Sequence, residues 1–94
     1  MIMNNKEKYE LLKKIINKAD PIGLIDFETA ESLNEYDPEL KEILKKDISS
    51  MNREELSEWI YQVFIAYFNK DLVGKKEDYM RIADEFLSSL DQAK

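Results

Sequence analysis

The side chains with chemistry to offer are carboxylates, and they are gathered in one stretch. Between Asp20 and Leu40 stand Asp20, Asp26, Glu28, Glu31, Glu35, Asp37 and Glu39, with no Lys or Arg among them. That stretch carries a charge of -7, while the whole chain carries -6, so the remainder sums to about +1. The acidity is therefore local. Clustered carboxylates can steer a basic partner, hold a divalent cation or share acid–base work. The spacing is not that of a calcium-binding EF-hand loop, whose central glycine is absent. Nothing in the spacing sets two of these acids across a cleft. Asp20, Asp37 and Glu39 also have local explanations, as caps or partners of helix dipoles. The partner-binding candidates are thus Asp26, Glu28, Glu31 and Glu35.

Other chemistries are missing. The chain has no cysteine and no histidine. Disulfides, thiolate nucleophiles, thiolate zinc sites and His-based triads are excluded. No phosphate-binding glycine loop, dinucleotide fingerprint or serine elbow occurs. The expectation is a non-enzymatic chain with no catalytic residue, no metal and no cofactor. Net acidity argues against nucleic acid as a partner. Lys13-Lys14, Lys45-Lys46 and Lys75-Lys76 lie far apart and read as solvated helix surface.

The elements that must position the acids read as helices. Only two glycines and two prolines punctuate 94 residues rich in Leu, Ile, Glu and Lys. A first helix is expected from about Asn5 to Lys18, with Tyr9, Leu12, Ile15, Ile16 and Ala19 as its apolar stripe. Asp20-Pro21 ends it. A second starts at Asp37-Pro38, with Asp37 as cap and Pro38 in the first position. Its stripe continues through Leu40, Ile43, Leu44, Ile48 and Met51. Asn52 and Glu55 have capping-box spacing and open a third helix, about Arg53 to Asn69.

This third helix is apolar nearly all round, which predicts a central position touched from several sides. Trp59, Tyr61, Tyr67 and Phe68 read first as core, with a ligand pocket or dimer face as alternatives. After Gly74, a fourth helix runs from about Lys76 to Leu90, and Asp91 to Lys94 are expected to fray. The segment from Asp20 to Tyr36 is long for a helix–helix connection, and a short helix is expected near Thr29 to Asn34. The fold class is all-α: one domain over residues 1–94, a compact bundle of about four helices with a long acidic connection between the first and second. No apolar run approaches the roughly 20 residues of a membrane span, and the charged N-terminus lacks the centre of a signal peptide. A cytoplasmic location and no membrane partner are expected.

Asp20-Pro21-Ile22-Gly23, followed by Asn34-Glu35-Tyr36-Asp37 and an amphipathic helix, resembles the YugE-like family of small helical proteins from Bacillus and relatives. The likeness covers most of the chain, with its motifs confined to residues 20–37. The family often places a tryptophan before the Asp-Pro pair. Ala19 stands there in this chain, so the packing around the turn is expected to differ. The resemblance implies an all-helical bundle, a bacterial cytosolic origin and no assigned activity. Similar motifs occur in proteins encoded beside polymorphic toxins, which implies an immunity role.

Physically, the motif residues Asp20, Pro21, Gly23, Tyr36 and Asp37 read as structural. Pro21 and Gly23 fix a reversal, with Ile22 and Leu24 folded beneath it. The Tyr36 ring is expected against the stem of Lys41, in the manner of a hydrophobic staple. The functional expectation is a protein-interaction module for an unidentified, basic protein partner, such as an immunity-type inhibitor covering a basic toxin. One alternative is a structural or regulatory homodimer on the apolar face of the third helix. Another is a carboxylate- and metal-dependent enzyme.

Overall fold

A computed structural model describes residues 4–23 and 34–93 of the chain. Among these residues are four α-helices and no strand: α1 (Asn5–Ala19), α2 (Asp37–Ile43), α3 (Arg53–Phe68) and α4 (Lys76–Ala93). A short 3₁₀ turn, Ile48–Ser50, stands between α2 and α3. The all-α bundle is present as the periodicity predicts. The short helix expected near Thr29 to Asn34 falls, but for Asn34, outside the described residues.

Local signals start the longer helices. Asn4 caps α1, accepting the Glu7 N–H at 2.8 Å, while the Glu7 carboxylate accepts the Asn4 N–H at 3.3 Å. Asn52 and Glu55 repeat this arrangement at α3, with distances of 2.8 and 3.1 Å. Each reciprocal pair satisfies two N–H groups that a helix start leaves free.

Helix α2 departs from its expected form at both ends. Tyr36 stands in the cap position with no side-chain cap bond, and Asp37 lies inside the helix. The carboxylate of Asp37 is engaged elsewhere, by α1. The helix also stops at Ile43 although the apolar period runs on to Met51. The Trp59 indole N–H donates to the Ile43 carbonyl at 2.9 Å, fixing that end against α3. The Ser50 hydroxyl then donates to the Asp47 carbonyl at 2.9 Å, which favours a 3₁₀ turn over a further helical one. Ile48 is still buried, so the turn keeps the stripe's inward residue without keeping the helix.

The core joins all four helices. Leu12 and Ile16 of α1, Leu40 and Ile43 of α2, Leu56, Ile60 and Phe64 of α3 and Ile82 and Phe86 of α4 are buried. Each such side chain contributes about 1.5–3 kcal/mol relative to exposure. Packing follows a ring: α3 lies chiefly against α4 and also against α2, and α1 lies against α4 and α2. The third helix is thus a member of the ring and not a hub. Glu58, Gln62, Ala66 and Tyr67 on it are exposed. Tyr79 fixes the α3–α4 connection by donating to the Val73 carbonyl at 2.6 Å, and burial pushes its phenol pKa well up. The fourth helix continues to Ala93, three residues past the expected end at Leu90. No helix among the described residues is long and apolar enough to cross a membrane.

Candidate functional site

The two sequence motifs meet. Helix α1 ends on Asp20, whose backbone turns left-handed (φ 45°, ψ 59°) while its N–H reaches the Ile16 carbonyl at 2.7 Å. Aspartate is among the few residues that tolerate this conformation. Pro21 follows, and Gly23, at φ +81°, donates its N–H to the Asp20 carbonyl at 3.1 Å. This four-residue reversal carries proline at its second position and glycine at its fourth, both favoured there. Ile22 packs against the core from the turn, while Leu24 lies outside the described residues.

Tyr36 closes the arrangement. Its ring is fully buried, with Phe64 at 5.7 Å and Phe68 at 6.4 Å between centroids. Its hydroxyl donates to Asp20 Oδ1 at 2.6 Å and accepts the Ile22 N–H at 3.2 Å. The expected packing against the Lys41 stem is replaced by these α3 rings, and Lys41 is exposed. The chain therefore leaves the described structure just after Ile22 and re-enters just before Tyr36 at points tied to one hydroxyl.

A second tie runs from α1 to Asp37. Tyr9 Oη donates to Asp37 Oδ1 at 2.6 Å, and Lys13 Nζ stands 3.3 Å from the same oxygen. Lys13 also donates to Asn34 Oδ1 at 2.7 Å. Burial, with the bond to Asp37 and the charges of Asp37 and Glu10, pushes the Tyr9 phenol up to about 12. Tyr9 and Lys13 are one turn apart on α1, which lets both reach one carboxylate. Sequence reading placed Tyr9 on the apolar stripe and Lys13 on solvated surface. Asp37 lies 28 residues beyond Tyr9, and no local pattern in the sequence pairs the two.

The seven acids of the stretch divide. Asp20 and Asp37 are held in these ties, and Glu39 is buried in α2. Glu35 is exposed beside them. Asp26, Glu28 and Glu31 lie outside the described residues, so no convergence with Glu35 is read for them. Among the described residues no three acids come together in a way that could hold a metal ion. A groove of about 320 Å³ runs beside the turn, between Ala19-Asp20-Pro21 and Asp78, Arg81, Ile82 and Glu85 of α4.

The aromatic residues of α3 separate too. Trp59 is half-buried, bonded to Ile43 and covered by the Lys46 ammonium 4.0 Å from its ring centre. Tyr61 packs on Tyr79 at 5.4 Å, and Phe68 on Tyr36 and Phe64. Tyr67 alone of the four is largely exposed, at 48%. Searches with family models, among curated proteins and among solved structures found no match to this chain.

Proposed function

We propose that this chain is a YugE-like, non-enzymatic protein-interaction module of a bacterial cytosol, which presents the acidic connection between α1 and α2 to a basic protein surface. The observation that carries the reading is the bridge made by the Tyr36 hydroxyl, which ties Asp20 and Ile22 at one end of the connection to the start of α2 at the other. Closing both ends of a charged segment on a packed base lowers the entropy lost when that segment binds. Three acids serve the base, which leaves Asp26, Glu28, Glu31 and Glu35 for a partner. An immunity-type inhibitor that covers the basic active site of a toxin is the most concrete form of this reading. Opposed charge would speed the encounter and make it sensitive to salt.

Affinity capture from a lysate of the source organism tests it. Wild-type chain should retain a basic protein at low salt and release it at high salt. A variant with Asp26→Lys, Glu28→Lys, Glu31→Lys and Glu35→Lys should not retain it. Equal retention of the same protein by both chains would rule the acidic surface out.

A second reading is favoured by Tyr67 and Leu72, 48% and 55% exposed at the C-terminal end of α3 and just beyond it. Large apolar side chains left in water suit a homodimer contact. A solution mass of two chains, independent of concentration, would support it, and a monomer would dismiss it.

A further inference from the structure

Glu39 is the one charged residue buried among the described residues, with 3% of its surface exposed. It lies three residues after Tyr36 and four before Ile43, both fully buried, so it points with the apolar face of α2. Its Oε2 has no hydrogen-bond partner among the described residues. No ion pair among them includes Glu39.

Among the described residues, the cation that α1 brings to the start of α2, Lys13, is paired with Asp37. From α1, Tyr9 and Lys13 are both committed to Asp37. From α3, the rings of Phe64 and Phe68 pack around Tyr36. The charges that act on Glu39 most are those of Asp37 and Glu35, and both are repulsive. Burial above all, opposed by the backbone N–H and helped by these two acids, pushes the Glu39 carboxyl above its ordinary 4.5.

A buried carboxylate with a bare oxygen has two ways to lower its energy: it takes up a proton, or it moves toward water. Glu39 lies in the first turn of α2, so the second way acts on that turn. Tyr36 immediately precedes that turn, and its backbone carbonyl accepts the Leu40 N–H at 2.9 Å. The hydroxyl of the same residue bridges Asp20 and Ile22.

We propose that Glu39 is a proton-sensitive latch beneath the start of α2: protonated, it stays packed and the Tyr36 bridge holds, and ionised, it draws the turn outward and loosens the bridge. The latch belongs to the folded chain alone and operates with or without a partner. A group whose folded-state pKa is raised favours folding when protonated. Its contribution is fully present below about 4.5 and is lost as pH rises through the folded value.

The test uses the full chain, as wild type, Glu39→Gln and Glu39→Met, between pH 4.5 and 8. Thermal unfolding is measured together with NMR exchange of the Ile22 amide, corrected for the intrinsic pH dependence of exchange. At pH 7.5 both variants should melt above the wild type, and the gap should close toward pH 4.5. Ile22 protection should fall with pH in the wild type and stay level in the variants. The fall is bounded at roughly tenfold for each unit by which the closed and open forms differ in Glu39 pKa. Variants that melt lower than the wild type at pH 7.5, or fail to fold, would overturn the latch, because the carboxylate would then be stabilising. So would a raised melting point with Ile22 protection that follows the wild type at every pH.

Discussion

Tyr36 does two jobs with one side chain. Its ring fills the space between α2 and α3, and its hydroxyl serves Asp20 and Ile22, 16 and 14 residues away. Tyr36→Phe keeps the first and removes the second. The loss of a charge-assisted bond and a backbone bond should lower stability by about 1.5–3 kcal/mol, read as a lower urea midpoint with an unchanged slope. An unchanged midpoint would mean that the hydroxyl contributes nothing net. The identity of Tyr36 as a structural residue can be read from the motif, but its partner cannot. Periodicity tells which face a residue occupies, and says nothing of which distant polar group will meet it. Asp37 illustrates the same limit. Asp before Pro has the local signature of a cap, and the sequence offers no sign that Tyr9 and Lys13 on α1 will claim its carboxylate. Glu39 is a further case: a helix-start acid looks solvated until the side chains around it are placed.

Among the elements, legibility follows the range of the signal. The start of α3 is encoded within four residues, Asn52 to Glu55, and the structure contains that capping box. Asn52→Ala should cost about 1 kcal/mol, measured by urea unfolding, because it leaves the Glu55 N–H without its side-chain acceptor. A cost indistinguishable from zero would show that water replaces the cap freely. The end of α2 is not encoded locally. Leu44, Ile48 and Met51 continue the helical period, and the stop depends on Trp59, 16 residues beyond Ile43. The role of α3 was overstated by its composition for a related reason. An apolar arc shows how much surface can be buried, while the ring of packing decides how much is. Tyr67 is the large side chain of that arc left in water.

For the molecule as a whole, the number of helices and the shared core follow from sparse punctuation and clean stripes. The radius of gyration, 12.6 Å, is close to the roughly 12 Å expected for a compact chain of this length. Charge segregation is equally plain in the sequence, since it needs no structure to count. What the sequence does not reveal is that three of the seven acids are consumed by the base of the connection, where they meet Tyr36, Tyr9 and Lys13 or are buried. That division gives the proposed interaction surface its shape: fixed ends and a net negative span between them. If presentation by the fixed ends matters, and not charge alone, then opening the bridge should weaken binding with every carboxylate kept. The decisive measurement is capture from one lysate, at low salt and well below the unfolding temperature, by equal amounts of wild type and Tyr36→Phe. The account predicts that the folded variant retains several-fold less of the salt-sensitive protein held by the wild type. Equal retention by the two chains would contradict it.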